Sequence, residues 1–154
     1  VPSLHAIAGG ATDSLSLDMS NTYLEWARRN YRLNSADVWK HRLSRADCVD
    51  WLQKDLGDEG MFDLILLDPP TFSNSKKMEG TLDIQRDQLA LIEGAMKRLS
   101  PSGTLIFSNN LRRFKLDEKV SEAYKVEDFN AASLDPDFQR NARVHQCYLI
   151  RHAD

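Results

Sequence analysis

The sequence predicts an α/β fold: an open, mostly parallel sheet with helices covering both faces. Strand-like and helix-like segments alternate along the chain, the segment Phe62 to Leu67 is almost continuously apolar, and polar or proline-glycine breaks such as Asn34-Ser35 and Pro101-Ser102-Gly103 separate the segments. Taken in order, Leu15 to Leu17 is a short apolar run closed by Asp18, and Ser20 stands at an N-cap position ahead of Leu24, Ala27 and Tyr31 at helical spacing. Asn34-Ser35 ends that helix, a weaker strand spans Arg42 to Arg45, and a short helix follows Asp47-Cys48 through Trp51 and Leu52. Phe62 to Leu67 halts at Asp68-Pro69-Pro70, the pattern of a central parallel strand buried on both faces and stopped by proline. Leu89, Ile92, Met96 and Leu99 mark one face of a further helix, which is expected to end at Pro101-Ser102-Gly103 before a strand over Thr104 to Ser108. Asp117 to Asp137 is acid-rich and weakly patterned, and Val144 to Ile150 reads as a last strand. Neither an internal repeat nor a low-complexity linker interrupts the series.

A chain of 154 residues has room for one domain, expected over residues 1–154. Hydrophobic residues at 42% and charged residues at 28% exclude a disordered tail or a fibrous repeat. No apolar run approaches the ~20 residues that a membrane-spanning helix needs. With no basic-then-apolar leader, the expectation is a cytoplasmic chain without a membrane contact. Cys48 and Cys147 lie far apart without metal-ligand spacing, so both read as free thiols of a reducing compartment and no metal is expected. Twenty basic and 23 acidic residues leave a formal charge of −3, which lacks the overall basic field of an independent nucleic-acid binder. Any RNA contact must then be local, or borrowed. The candidates are Lys76-Lys77, Arg112-Arg113-Lys115, Arg140 and Arg143, for each of which a solvated surface is the competing reading.

Ligands of open parallel sheets bind beyond the carboxyl ends of the strands. Asp18, Asp47, Asp68 and Asn109 all follow predicted strands there and are expected to converge on one crevice, although each alone also suits a cap or turn. Asp18 can accept hydrogen bonds from both ribose hydroxyls of a nucleotide-like cofactor. Met19 can cover one face of an adenine, or serve as core. Asp47 can accept from an adenine amino group with the Cys48 backbone beside it, or cap a helix. The run Asp68-Pro69-Pro70-Thr71-Phe72 is more specific. Its prolines fix the backbone directly after a strand and present a carboxylate, oriented carbonyls and an aromatic ring together. Phe72 can stack on a planar base while Asp68 and the Pro69 carbonyl accept its hydrogens, aligning a nitrogen lone pair for in-line attack on a methyl group.

This Asp-Pro-Pro-aromatic pattern, with Thr71 intervening, resembles the fourth motif of Rossmann-like S-adenosylmethionine-dependent methyltransferases that modify nucleobases. Asp18-Met19-Ser20, Tyr23 to Ala27, Ala46-Asp47-Cys48, Asp68 to Lys76 and Phe107-Ser108-Asn109-Asn110 are similar to the carboxy-terminal half of the bacterial ribosomal RNA large subunit methyltransferases K/L. The resemblance covers nearly the whole chain. It implies a class I methyltransferase sheet and transfer of a methyl group from S-adenosylmethionine to N7 of a guanine in 23S ribosomal RNA. It implies that Asp18 binds the cofactor ribose, that Met19, Asp47 and Cys48 frame the adenine, and that Asp68, Pro69, Pro70, Thr71 and Phe72 form the wall between cofactor and guanine. Lys76 and Asn109 are then candidate RNA contacts. An RNA-binding region and a second methyltransferase half are implied elsewhere in the parent polypeptide.

In that family a first strand and its glycine-rich loop precede the point where this chain starts, so an amino-terminally truncated sheet is expected. Val1 to Gly10 is similar to the helix after that loop, with Gly9-Gly10 at its end. Methylation of an exocyclic amine is an alternative, as is a non-catalytic module that supports an attached domain. Cytosine C5 chemistry needs a cysteine nucleophile near the end of the Thr104 to Ser108 strand, where Ser108-Asn109-Asn110 stand instead. A nicotinamide oxidoreductase would need the fingerprint Gly-x-Gly-x-x-Gly, which the chain lacks.

Overall fold

The computed structural model describes residues 2–54, 60–73, 82–134, 136–141 and 144–153. It divides into two compact units, residues 1–54 and 55–154, each with its own strands and helices.

The first unit runs α1 (Pro2–Ala8), β1 (Ser14–Asp18), α2 (Asn21–Leu33), β2 (His41–Arg45) and α3 (Cys48–Gln53). β1 and β2 pair in parallel from Ser14↔His41 to Asp18↔Arg45. Ser20 caps α2 as its sequence position predicts, accepting from the Tyr23 N–H at 3.3 Å. The helix buries Leu24 and Tyr31, two turns apart on one face. Beyond the Asn34 cap, Ser35 takes a left-handed φ of 53°, and the Ala36 N–H reaches back to the Tyr31 carbonyl at 2.9 Å. That is a Schellman-type stop made without glycine.

The second unit contains β3 (Phe62–Leu67), β4 (Phe72–Ser73), β5 (Leu82–Asp83), α4 (Ile84–Met96), β6 (Leu99–Asn109), α5 (Glu118–Ala123), β7 (Tyr124–Asp128), a 3-10 turn over Pro136–Asn141, and β8 (Gln146–His152). Its main sheet has the order β3-β6-β8-β7, and β4 and β5 form a separate antiparallel pair. β3 and β6 are parallel, while β8 is antiparallel to both of its neighbours. The core gathers on α4 and β6, where Ile84, Ile92, Ala95, Leu99, Leu105 and Phe107 are fully buried together with Ile150 of β8.

Several expectations are corrected. α4 ends at Met96, and the strand begins at Leu99 and so runs through Pro101-Ser102-Gly103. Proline is tolerated there because residues 100–103 fall in the register shift between the pairs Phe62↔Leu99 and Leu64↔Thr104, where no ladder bond needs its missing N–H. Gly103 belongs to the same irregularity: a Cβ would meet Leu99 side-chain carbons at 2.8 Å and the Asp63 carbonyl oxygen at 3.0 Å. β3 is neither central nor buried on both faces: among the described residues it is an edge strand of its sheet, and Leu64 and Leu66, alternate residues on one side, are 54% and 44% exposed. The weakly patterned stretch after Asp117 holds α5, capped by the Asp117 side chain, and the edge strand β7. β7 alternates Tyr124 and Val126 with charged residues, and a five-residue edge strand gives little apolar signal.

Candidate active site

All four polar residues expected at strand ends stand there: Asp18 is the last residue of β1, Asp47 lies just beyond β2, Asp68 follows β3, and Asn109 ends β6. Asp18 and Asp47 belong to the first unit, Asp68 and Asn109 to the second.

In the first unit, Asp18 Oδ1 accepts from the Ser20 N–H at 2.7 Å, which ties the carboxylate to the start of α2. Met19, 40% exposed, has its carbonyl held by Arg45 Nε at 3.1 Å. Asp47 is the N-cap of α3, its Oδ1 accepting from the Val49 N–H at 2.9 Å. The cap does not exhaust the carboxylate, because Asp47 Oδ2 is buried without a hydrogen-bond partner among the described residues. Burial pushes the Cys48 thiol up, and the negative charges of Asp47 and Asp18 push it further. Cys48 therefore stays protonated at neutral pH, an uncharged neighbour and not a nucleophile.

In the second unit, the segment after β3 is held at both ends. The Ser108 hydroxyl donates to Asp68 Oδ1 at 2.8 Å, and Ser108 is itself 6% exposed, so one carboxylate oxygen is fixed from the neighbouring strand. At the far end the Thr71 carbonyl accepts from the Ile84 N–H at 3.3 Å, and Phe72 pairs with Asp83 in the β4–β5 ladder. Asp83 in turn caps α4, accepting from the Gln85 N–H at 2.9 Å. Between these anchors Pro69 is half-buried and Pro70 exposed, and the Phe72 ring is 62% exposed. A fixed carboxylate and an exposed ring on a proline-stiffened segment suit a flat, hydrogen-bonding ligand.

Asn109 does not face solvent. It is fully buried, its Oδ1 accepts from the Leu111 N–H at 3.0 Å, and its Nδ2 has no hydrogen-bond partner among the described residues. Asn110 beside it is exposed, as are Arg112, Arg113 and Lys115. Lys76, Lys77 and Arg143 lie outside the described residues, and nothing is described of the Arg140 side chain.

Sequence reading missed Ser108 as the partner of Asp68, since only the β3–β6 register reveals that the two adjoin. It also missed that Cys147 lies opposite Ser108 in the β6–β8 ladder. This thiol is 4% exposed, and burial, followed by the charges of Asp68 and Asp128, pushes it up against the opposing pull of a Ser133 hydrogen bond. It does not offer the ready thiolate that cytosine C5 chemistry needs. Among the described residues no group of three or more His, Cys, Asp or Glu side chains could hold a metal ion, and no helix is long and apolar enough to cross a membrane.

The profile of the S-adenosylmethionine-dependent methyltransferases matches residues 2–143. The chain is 57% identical over 150 residues to the ribosomal RNA large subunit methyltransferase K/L of Cellvibrio japonicus, an alignment covering 97% of this chain and 20% of that protein. It is 52% identical over 149 residues to the ribosomal RNA large subunit methyltransferase K of Neisseria meningitidis serogroup B, covering 97% of this chain and 42% of that one. The chain thus spans about a fifth of the K/L relative and under half of the K relative. Among solved structures, a protein described as a methyltransferase complexed with SAH aligns with a TM-score of 0.78 at 21% identity, over 96% of this chain and 41% of that one. A SAM-dependent methyltransferase from Agrobacterium tumefaciens aligns with a TM-score of 0.70 at 19% identity, over 99% of this chain and 52% of that one. At these identities the structural likeness shows the fold.

Proposed function

The chain belongs to the S-adenosylmethionine-dependent methyltransferase family, and on that premise we propose that it methylates N7 of a guanine in 23S ribosomal RNA, as part of a longer polypeptide. The observation that carries this reading is the Asp68 to Phe72 segment: a carboxylate fixed by Ser108 at 2.8 Å, two prolines, and an exposed aromatic ring at the carboxyl end of β3. The high identity to ribosomal RNA large subunit methyltransferases supports the choice of RNA.

The first unit's side chains fit the cofactor chemically. Asp18, with one oxygen committed to Ser20, and Asp47, with the orphaned Oδ2, are acceptors suited to the ribose hydroxyls and the adenine amino group. Met19 supplies apolar surface and the uncharged Cys48 adds no competing charge. When bound, S-adenosylmethionine supplies an electrophilic methyl group on a sulfonium sulfur. Guanine N7 already carries its lone pair, so no proton leaves the base and the chain needs no general base. Transfer to N7 would leave the bonding pair of the former S–C bond on sulfur, so no residue of the chain would have to take up a proton or stabilise a leaving group.

Asp68 therefore works by position and charge. Its fixed carboxylate and the Pro69 carbonyl accept the base's N–H hydrogens and offset the positive charge that grows on the ring. Phe72 stacks on the base once it leaves its neighbours. Asn109 acts from the interior, setting the turn after β6 through its bond to the Leu111 N–H. Nucleoside mass spectrometry of 23S ribosomal RNA, methylated by the complete protein, tests the reading. N7-methylguanine is the expected product, and N2-methylguanine or N6-methyladenine in its place overturns the site of transfer.

A further inference from the structure

The loop between β6 and α5, Asn110 to Asp117, sorts its side chains by chemistry. Leu111 and Leu116 are half-buried and Phe114 is 7% exposed, whereas Arg112, Arg113 and Lys115 are exposed. No ion pair among the described residues engages these three cations. Solvation alone would explain three cations on a floppy loop, yet this one is clamped along its length.

At its start the Leu111 N–H donates to the buried Asn109 side chain, and the Phe114 N–H donates to the Leu111 carbonyl at 3.0 Å. In its middle the Phe114 ring packs against Phe107, with centroids 5.7 Å apart, and against Tyr148 at 6.2 Å. At its end two glutamines of α4, one turn apart, grip the main chain. Gln85 accepts from the Lys115 N–H and donates to the Lys115 carbonyl, both at 2.9 Å. Gln88, 1% exposed, donates to the same carbonyl at 3.0 Å and accepts from the Asp117 N–H at 2.9 Å. Each grip removes loop entropy before any ligand arrives, which is the physical meaning of pre-organisation.

The loop springs from the carboxyl end of β6, directly after Ser108 and Asn109, and so stands at the same sheet end as Asp68. Arginine forks and lysine ammonium groups bind phosphate oxygens well, and nucleic-acid backbones repeat that group at regular steps. We propose that Arg112, Arg113 and Lys115 form a pre-positioned platform that seats the phosphate backbone of the RNA beside the Asp68 to Phe72 segment. It places a local cationic surface on a chain whose formal charge is −3. The proposal rests on the reading of the substrate as RNA. An exposed stacking ring, Phe72, at this sheet end favours RNA over an acidic protein surface.

The test is binding of the full chain to an unmodified 23S ribosomal RNA transcript, followed as a function of salt. The variant Arg112→Gln/Arg113→Gln/Lys115→Gln removes exposed charges only, and its thermal midpoint should match wild type. Its affinity should fall at least about tenfold at low salt, and the slope of log K against log salt should shrink by about 2, from roughly 0.7 per phosphate contact on single strands. Gln85→Ala keeps the charges and should weaken binding about threefold with the slope unchanged. A wild-type slope in the triple variant, or no RNA binding by the wild-type chain at low salt, overturns the platform. So does loss of poly-glutamate binding with RNA binding intact, which would assign the loop to an acidic protein. Methylated nucleosides made by the complete protein are scored separately. Their absence, with the slope difference intact, removes the catalytic reading and leaves the platform standing.

Discussion

In the second unit β6 is enclosed by apolar side chains, with Leu99, Leu105 and Phe107 fully buried alongside Ile84, Ile92 and Ala95 of α4 and Ile150 of β8. In the first unit β1 meets its helices through hydroxyls. Ser16 Oγ lies 2.7 Å from Ser3 Oγ of α1 and 3.2 Å from Tyr31 Oη of α2, and Ser14 Oγ is 3.2 Å from His41 Nδ1 of β2. Among the described residues its fully apolar buried side chains are Leu24 and Leu52, each at 8% exposure. The second unit removes more apolar area from water, whereas the first adds to its smaller core a set of directional bonds whose net worth is small but whose loss strands a polar group. The difference teaches where each unit is vulnerable.

The largest expected effect is on the apolar side. Phe107→Ala deletes a fully buried ring that packs on Phe114 and should cost about 3–5 kcal/mol in a urea unfolding titration. A loss below about 1 kcal/mol would break the contrast between the units. Next comes activity. In the complete protein, Asp68→Ala should lower kcat at least about 100-fold, and Ser108→Ala, which frees the carboxylate from its 2.8 Å bond, about tenfold. In the Asp68→Ala background, Ser108→Ala should add nothing further, because Ser108 acts through Asp68. Additive losses in that cycle would assign Ser108 a merely structural role.

On the polar side, Ser16→Ala removes the hub between Ser3 and Tyr31 and should cost about 1–2 kcal/mol. Amide exchange would show it first in β1 and β2, and an effect that appears first in β6 would contradict the division. The smallest effect is chemical. Burial and the charges of Asp47 and Asp18 favour the protonated Cys48 thiol, so its thiolate fraction at a given alkaline pH is below that of an unperturbed cysteine. Alkylation with iodoacetamide should be correspondingly slow and should quicken in Asp47→Asn. Equal rates in the two proteins would remove the electrostatic part of that account.

Much of this was legible in the residues. The Ser20 cap and the Leu24–Tyr31 spacing mark α2, because capping and helical periodicity are local properties. Asp68-Pro69-Pro70 announces the end of β3, since proline lacks the N–H that a ladder needs and two in succession fix the backbone away from it. The α4–β6 boundary is not legible in the sequence, because Pro101 and Gly103 act as breakers only if the strand is regular, and the register shift opposite Phe62 and Leu64 makes it irregular. Lys76 lies outside the described residues, so its part in the site rests on resemblance. Asn109 was readable as a strand-end residue, and its turn inward was not, because burial depends on neighbours far away in the chain.

The sequence by itself determined the α/β alternation and which polar residues stand at strand ends, and its Asp-Pro-Pro-aromatic run carries the family resemblance that implies the cofactor. Each is encoded in a run of adjacent residues. Only the tertiary structure decided that Ser108, forty residues after Asp68, holds its carboxylate. It alone decided that Gln85 and Gln88 fasten a loop about thirty residues further on. Strand register and helix docking bring such partners together, and they follow from the packing of the whole core, which no local run of residues specifies.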